Sequence, residues 1–300
     1  MSRRFPVVQI EPEWVLQTEA LGTKEKFWYR RTNKSRRWLF KYPQADTGQH
    51  WVEKIAAEIA EVMGIDHAKV ELATFNGERG SASQSFISTG HELWHGNQIL
   101  AGRLFGYDSE ARFRHPEHTL EHIFQAIDAT FKTAKWRRNS KMRIAAYLVL
   151  DAVIGNTDRH HENWGILSVH SPRGWLGFVA PSFDHASSLG RELRDDSSGK
   201  CRRRILETNA IDSYVEKGTG AIYWTGQEKK GPSPLQLVRL AIDRYPALFR
   251  PAVARVRALS TAKIENIFTR MPAGWMSKIS VDFVRVFLAY SVSELLKLKE

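Results

Sequence analysis

The stretch DAVIGNTDRHHENWGIL, residues 151–167, places a short run of charged and polar side chains between two apolar segments. The residues that lead into it, Ile144 to Ile154, are apolar almost all round, which predicts a buried helix. Gly155 and Asn156 are typical of a helix end, and Trp164 to Leu167 predict the start of a strand. Polar loops held between core elements commonly carry the chemistry of a protein.

Three oxygen-bearing side chains lie on this loop and on the segment after it. Asp158 and Asn163 are five residues apart, and Asp184 follows twenty-one residues later in the stretch SFDHASSLG. Magnesium prefers oxygen ligands and is commonly held by one or two carboxylates together with substrate phosphates. Protein kinases use the same order, with a base Asp, a metal-binding Asn five residues on, and a second Asp for the metal. We therefore expect Asp158 to be a catalytic base, and Asn163 and Asp184 to bind magnesium.

The first third of the chain offers candidates for binding phosphates. The segments KEKFWYRR (24–31) and RRWLFKYP (36–43) are short and aromatic, and predict a hairpin whose second strand ends near Lys41. The preceding turn, Leu21 to Lys26, contains Gly22, which can adopt backbone angles that other residues avoid. A lysine at a strand end and a glycine turn before it are the parts that a kinase needs in this region.

An amphipathic helix follows the lysine. The segment QHWVEKIAAEIAEVMGI (49–65) has apolar residues at helical spacing. An ion-pair partner for Lys41 is expected on this helix, and Glu53 and Glu58 are both candidates. The pattern changes near residue 97, which predicts a strand-rich N-terminal lobe at 1–97 and a helical C-terminal lobe at 98–300.

Other patterns complete this α+β prediction. Asn76-Gly77 predicts a tight hairpin turn, and the segments 118–134 and 140–156 read as helices. A hairpin is expected over 168–184 with its turn at 171–174, and residues 190–233 predict loops with short helices. Residues 234–298 are helical in pattern, with breaks expected at Pro246, Pro251 and Pro272.

Composition limits the class of protein. The 300 residues carry a formal charge of +11, which favours anionic partners, and Cys201 is the single cysteine, which excludes an intrachain disulfide. The N-terminus has no apolar run typical of a signal peptide, and no stretch approaches a membrane span. We expect a cytoplasmic protein without membrane contact. The basic residues form three clusters, at 30–37, 132–143 and 202–204.

Together these segments resemble the HipA-like kinases, a bacterial serine/threonine kinase family that includes toxins of toxin–antitoxin systems. The resemblance extends from residue 21 to about 190, with a softer similarity at 221–246. The motifs that carry it are LGTKEKFWY, WLFKYP, WVEKIAAEIAEVMGI, HGNQIL, DAVIGNTDRHHENWGIL and FDHASSLG.

The resemblance implies a two-lobed, protein-kinase-like fold and an ATP- and magnesium-dependent phosphotransferase, with ATP in the cleft between the lobes. Lys41 matches the phosphate-binding lysine, and Glu53 matches the helix glutamate, eleven residues before Gly64, with Glu58 as the second choice. Asp158 matches the base, and the metal ligands match Asn163 and Asp184. The phosphate loop of the family matches Gly22, Thr23, Lys24 and Lys26, with Thr23 as the candidate for autophosphorylation.

The resemblance also implies partners. The substrate is expected to be a protein, with a tRNA-associated protein as the candidate that some relatives suggest, and an antitoxin is one candidate partner. Larger members carry an extra N-terminal subdomain, which we expect to be absent or separately encoded here. His185 and Ala186 follow the metal-binding Asp in place of Phe-Gly, so the activation switch of ordinary protein kinases is not implied.

Other functions remain open at this stage. HELWH, residues 91–95, matches the H-E-x-x-H pattern of zinc metallopeptidases, although the glycines on both sides favour a connector over a helix. The positive charge is compatible with a basic RNA-binding module or with weak RNA contact beside catalysis. A small-molecule kinase or an enzyme that transfers AMP would share the same motifs.

Overall fold

The computed structural model describes residues 3–19, 26–111, 115–171, 174–195 and 201–298. Its strands are β1 (Val7–Gln9), β2 (Val15–Glu19), β3 (Lys26–Tyr29), β4 (Trp38–Lys41), β5 (Val70–Phe75), β6 (Glu78–Gln84), β7 (His91–His95), β8 (Gly165–Ser171) and β9 (Gly174–Val179). Its α-helices are α1 (Gln49–Val62), α2 (Gly96–Ala101), α3 (Leu120–Thr130), α4 (Ala134–Ile154), α5 (Arg202–Glu207), α6 (Ile211–Glu216), α7 (Pro234–Arg244), α8 (Pro246–Ala254), α9 (Thr261–Arg270) and α10 (Lys278–Lys297).

The chain forms two compact units, and both are discontinuous in sequence. Unit 1 comprises Met1–Phe86, Asp184–Ile211 and Ala258–Ala289, and unit 2 comprises Ile87–Phe183, Asp212–Arg257 and Tyr290–Glu300. The lobes at 1–97 and 98–300 are continuous segments, and that division stays a prediction. Among the described residues, no helix combines the length and apolar composition that crossing a bilayer requires.

Unit 1 is built on a six-stranded sheet in the order β1-β5-β6-β4-β3-β2, in which β1 runs parallel to β5. The hairpin turn at Asn76-Gly77 is confirmed, because both residues have positive φ angles, 50° and 81°. The turn at 32–35 is also present, with the Ser35 amide donating to the Thr32 carbonyl. The core of the sheet contains Ile10, Phe27, Tyr29, Trp38, Phe40, Ala73 and Ala82.

Strands β1 and β2 are absent from the sequence-based prediction, which placed the first strand at residue 24. Strand β1 has three residues, and β2 reads VLQTE, so neither shows the run of alternating apolar residues that identifies a strand. Their pairing with β5 and β3 comes from the tertiary fold. The sheet therefore begins earlier than the sequence pattern indicates.

Unit 2 contains the helix that leads into the opening stretch. Every residue of α4 from Ile144 to Ile154 is buried, as predicted. Helix α4 begins earlier than expected, at Ala134, because the Thr133 hydroxyl caps it by accepting from the Trp136 amide. The helix predicted over 118–134 is consequently shorter and ends at Thr130.

The predicted break at Pro251 is wrong, because this residue lies inside α8. Phe249, Ala252 and Val253 are buried around it, and this packing outweighs the hydrogen bond that proline cannot make. Helix α8 does begin at Pro246, and α9 ends before Pro272, so the other two breaks are confirmed. A three-stranded antiparallel sheet, in the order β7-β8-β9, completes unit 2 together with the helices.

Candidate functional site

In unit 1, the phosphate-binding lysine candidate pairs with a metal-binding candidate. Lys41 ends β4, and its Nζ lies 3.0 Å from Oδ2 of Asp184. The two side chains are 17% and 33% exposed. Asp184 has a φ of 57°, a left-handed conformation that is uncommon for residues other than glycine. Such backbone geometry persists where the surrounding structure fixes it, and it is found at ligand-binding sites.

A second lysine shares the face of the sheet that carries Lys41. Lys26 is directly opposite Lys41 in the antiparallel pairing of β3 with β4, so the two side chains project to the same side. Like charges in this arrangement destabilise a sheet, and they suit a surface that binds an anion. On the other side of β4, a Cβ on Gly80 would lie 2.6 Å from the Lys41 carbonyl, so only glycine allows this close approach.

Glu53 is buried in α1, and it contacts the residue after Asp184. Its Oε1 accepts a hydrogen bond from the His185 amide at 3.0 Å, and it lies 3.5 Å from Nδ1 of the same residue. Glu58, the second choice, accepts instead from Lys54 at 2.5 Å and pairs with Arg270 at 3.4 Å. Glu53 is therefore the glutamate of α1 that orients the segment carrying Asp184.

The other carboxylate oxygen of Glu53 is suited to interact with a cation. Oε2 is buried, and no hydrogen-bond partner exists for it within the part of the chain that the structure describes. An unsatisfied buried oxygen is costly, so a cation or a donor from a ligand would stabilise this state. The oxygens of Asp184 and Asn163 are the donors that magnesium prefers, so the residues present fit that ion.

In unit 2, hydrogen bonds within the loop hold Asp158 and Asn163 at a fixed separation. The Asn163 side-chain amide donates to the Asp158 carbonyl at 2.7 Å, and the Asn163 backbone amide donates to the His160 carbonyl at 2.9 Å. The Asp158 amide donates in turn to the Asn156 side chain at 3.2 Å. Because its Nδ2 is used in the loop, Asn163 has its Oδ1 as the atom suited to a metal.

A buried ion pair anchors the same loop to α4. The Arg159 guanidinium donates to both oxygens of Asp151, at 2.8 and 2.7 Å, and the two side chains are 4% and 3% exposed. Arg159 also donates to the Asn163 carbonyl at 2.7 Å and to the Phe183 carbonyl at 3.2 Å. One side chain therefore fixes the helix end, the metal-ligand candidate and the residue that precedes Asp184.

The Arg159–Asp151 pair is absent from the residues that the sequence analysis selected. Its signal was the presence of Asp151 as the one charged residue within the apolar run Ile144–Ile154. A buried carboxylate requires a partner, but Arg143 and Arg159 both lie eight residues from Asp151, so the spacing does not choose between them. The sequence therefore indicates that Asp151 has a cationic partner, and the structure identifies that partner as Arg159.

Neutral histidines and a tryptophan form the wall behind the loop. Trp164 is buried, and its indole N–H donates to Nε2 of His118 at 3.2 Å. Burial lowers the pKa of His118 to about 3, so this ring is neutral and donates through Nδ1 to the Ala221 carbonyl. His161 lies 2.9 Å from the Tyr107 hydroxyl, and burial lowers its pKa to about 4.

Three residues of the predicted phosphate loop, Gly22, Thr23 and Lys24, lie outside the described residues. Lys26, the fourth, is described and is the residue opposite Lys41. The loop assignment and the autophosphorylation of Thr23 therefore stay predictions.

The structure argues against a zinc metallopeptidase. HELWH forms β7, a strand paired with β8, rather than a connector or a helix. Residues four apart on a strand are separated by about 13 Å along its axis, so His91 and His95 cannot share one ion as they would on a helix. A search of the described residues finds no group of three or more His, Cys, Asp or Glu side chains that could hold a metal.

Comparison with known protein families finds a match over most of the chain. The model of the family described as the HipA-like C-terminal domain matches residues 18–217. No curated protein matches the chain. The match spans the strands around Lys41, the loop around Asp158 and the segment that contains Asp184.

Solved structures show the same fold. The crystal structure of CtkA, a proinflammatory kinase of Helicobacter pylori, has a TM-score of 0.76 at 18% identity, over 98% of this chain and 97% of that one. HipA of the Shewanella oneidensis MR-1 toxin–antitoxin system, solved with HipB and operator DNA, has a TM-score of 0.57 at 13% identity, over 97% of this chain and 66% of that one. These likenesses confirm the predicted α+β, kinase-like fold.

Proposed function

The chain belongs to the HipA-like C-terminal domain family, and on this premise we propose that it is an ATP- and magnesium-dependent kinase of serine or threonine hydroxyls in a protein. The observation that carries the proposal is the Lys41–Asp184 ion pair at 3.0 Å. It brings together a cation suited to phosphates and a carboxylate suited to the metal that accompanies them. The two residues are far apart in sequence, so the fold rather than local structure creates the pair.

In the proposed reaction, the hydroxyl oxygen of the substrate attacks the terminal phosphorus of ATP, and the bond to the bridging oxygen breaks to release ADP. Asp158 accepts the hydroxyl proton, and Lys41, with Lys26 beside it, binds the phosphates. Asn163 and Asp184 would hold magnesium, which supplies charge neutralisation at the phosphates when bound. The hydrogen bonds and the buried ion pair around the loop hold Asp158 and Asn163 in position. Such positioning is a main part of how proteins catalyse phosphoryl transfer.

We further propose that the protein works with a protein partner. HipA was solved in complex with HipB and operator DNA, which supports testing an antitoxin as a partner here. The basic cluster at 132–143 presents Lys132, Lys135 and Arg138 as exposed side chains beside Trp136, which is 48% exposed. These side chains suit docking of a tRNA-associated substrate or weak RNA contact. Arg137, by contrast, donates to the Phe131 and Lys132 carbonyls, so it stabilises the end of α3.

The test of the proposed reaction is intact-protein mass spectrometry after incubation with ATP and magnesium, with and without a candidate substrate protein. We expect a gain of one or more phosphates with the wild type and none with Asp158→Asn. Asp243→Asn is the matched control, because Asp243 is an exposed carboxylate on α7.

Each alternative gives a different result in that experiment. A gain of one AMP would replace phosphoryl transfer by AMP transfer on the same fold. Consumption of ATP with a small-molecule alcohol but with no protein would indicate a small-molecule kinase. Equal phosphate gain in the wild type and in Asp158→Asn would contradict the role of Asp158, and absence of magnesium–ATP binding by calorimetry would contradict the proposal as a whole.

A further inference from the structure

Unit 1 contains a cavity of about 460 Å³ that is separate from the Lys41–Asp184 pair. We refer to it as the arginine cavity, because Arg79, Arg194 and Arg202 line it. The first residues of α1, the segment at 193–195 and the residues that begin α10 form the rest of its wall. A volume of this size is typical of small-molecule sites.

The charges around the cavity favour an anion. Three arginines face two carboxylates, Asp46 and Asp195. Arg194 and Asp46 form an ion pair at 3.1 Å, but the side chains are 52% and 74% exposed. Such an exposed pair contributes little, so Arg194 can turn to a better partner at small cost. Arg79 is exposed and donates to a neutral acceptor, the Gly274 carbonyl.

Arg202 is buried in the wall with an unused donor. Its guanidinium donates to Asp195 at 2.7 Å and to the Gly190 carbonyl at 2.9 Å, and the residue is 4% exposed. Its Nε–H, however, is buried without a hydrogen-bond partner anywhere in the described ranges. An unsatisfied donor on a buried cation is unfavourable, and an anion close to this guanidinium would offset part of that cost.

Two helix N-termini add to the positive potential. Helix α1 begins after Gly48, which caps it without a side-chain hydrogen bond, and Thr47, Gly48 and His50 line the cavity. Helix α10 begins after Ser277, whose hydroxyl accepts from the Ser280 amide. The free amides and the dipole at a helix N-terminus attract anions. Two such ends meeting at one cavity with three arginines form a site with donors on several sides.

We propose that the arginine cavity binds a phosphate group, carried either by a small phosphate ester or by a phosphorylated side chain. Phosphate is preferred to a carboxylate because it presents more acceptor oxygens and a higher charge to donors that surround the cavity. The cavity is larger than a phosphate ion alone, so an organic group attached to the phosphate also fits.

The site has a consequence for catalysis that rests on the proposed kinase function. Helix α1 starts at the cavity and carries Glu53, which holds the His185 amide beside Asp184. The opposite wall, at 193–195, belongs to the segment that follows Asp184. A phosphate bound by both walls would fix α1 against that segment, and would thereby strengthen the positioning of Asp184 by Glu53.

The test is calorimetric titration of inorganic phosphate into the full chain after phosphatase treatment, at low and constant ionic strength. We expect saturable binding that weakens about tenfold in Arg79→Gln and in Arg194→Gln, because each removes a charge-assisted donor. The matched control is Arg37→Gln, since Arg37 is also exposed and lies over Trp28 at 5.2 Å, as Arg79 lies over Trp275 at 5.3 Å. Lys41→Met should retain binding if the cavity is the site.

A further experiment identifies the source of the phosphate, and the titrations test the cavity independently of the proposed kinase reaction. Protein incubated with ATP and magnesium, with its phosphorylation measured by mass, would lose binding of free phosphate if its own phosphorylated side chain occupies the cavity, and would keep it otherwise. Absence of saturable binding in the wild type would overturn the inference, as would equal binding by Arg79→Gln and Arg37→Gln or loss of binding in Lys41→Met. Because binding is read directly, the result stands even if the proposed kinase reaction fails.

Discussion

Two ion pairs, one in each unit, differ in nearly every physical respect. Arg159 and Asp151 in unit 2 are 4% and 3% exposed and meet as a two-pronged fork. Lys41 and Asp184 in unit 1 are 17% and 33% exposed, and Nζ of the lysine lies 3.0 Å from Oδ2 of the aspartate. The first pair has further hydrogen bonds to the Asn163 and Phe183 carbonyls, so its charges are satisfied inside the protein.

This difference distinguishes an ion pair that stabilises the fold from one that is suited to binding a ligand. A buried fork has fixed geometry, and removing one partner leaves the other as an uncompensated buried charge. A partly exposed lysine is a flexible point charge that can exchange a carboxylate for a phosphate. We infer that Arg159–Asp151 maintains the shape of the loop, whereas Lys41–Asp184 holds two groups ready for a ligand.

The largest expected effect comes from breaking the buried pair. Arg159→Met should lower the free energy of unfolding by about 3–5 kcal/mol, because it strands the Asp151 carboxylate in the core. Urea unfolding followed by tryptophan fluorescence measures this change. Arg285→Met is the control, because Arg285 also forms a fork, with Glu265, but is 41% exposed, and its loss should cost less than about 1 kcal/mol. Equal losses in the two variants would show that burial does not distinguish these forks.

The same contrast explains what the sequence revealed about the site. Asp158, Asn163 and Asp184 could be selected as candidates because their spacing is a property of the chain itself, and their roles stay predictions. The fork could not be read from spacing, because a side chain's partner depends on which elements pack together. Glu53 was a candidate because of its place in the family pattern, and its bond to the His185 amide is a tertiary feature that the sequence did not indicate. Its assignment as the partner of Lys41 stays a prediction.

The fold shows the same division between local and tertiary information. The Asn76-Gly77 hairpin and the end of α4 at Gly155, with its φ of 64°, were predictable because local backbone preferences decide them. HELWH became strand β7 because it pairs with β8, a partner some seventy residues away in sequence. Pro251 remains helical because its neighbours pack in the core of unit 2.

A smaller effect is expected from pH, which acts on the buried loop through its histidines. The pKa of His118, about 3, and that of His161, about 4, lie below the ordinary value of 6.5. Below pH 6.5 the unfolded chain therefore binds more protons than the folded chain, so the free energy of unfolding falls as the pH drops from 6.5 towards 4. The lowered pKa of His118 alone should reduce the free energy of unfolding by on the order of 2 kcal/mol at pH 5, and should have no effect above pH 7.

Urea unfolding between pH 7.5 and pH 5 tests this prediction. His118→Gln should flatten the profile, because an amide can accept from Trp164 and donate to Ala221 without titrating. The control is His170→Gln, since His170 is exposed on β8 and should leave the profile unchanged. An identical pH dependence in the wild type and in His118→Gln would show that His118 does not cause the loss of stability at low pH.

The smallest effect on stability is expected at the pair proposed to be functional. Lys41→Met should change the free energy of unfolding by less than about 1 kcal/mol, because solvent screens a partly exposed pair. The rate of phosphate transfer should fall by about a hundredfold or more, since the variant removes a charge that stabilises the transferring phosphate.

Lys69→Met is the matched control, because Lys69 also pairs with a carboxylate on the sheet, Glu71, at 3.6 Å, and should alter neither quantity strongly. If Lys41→Met instead destabilises the protein as much as Arg159→Met, the Lys41–Asp184 pair is a structural bond. Its 3.0 Å contact would then no longer support phosphate binding by Lys41, because a lysine needed to hold the fold together is not free to change partners when a ligand arrives.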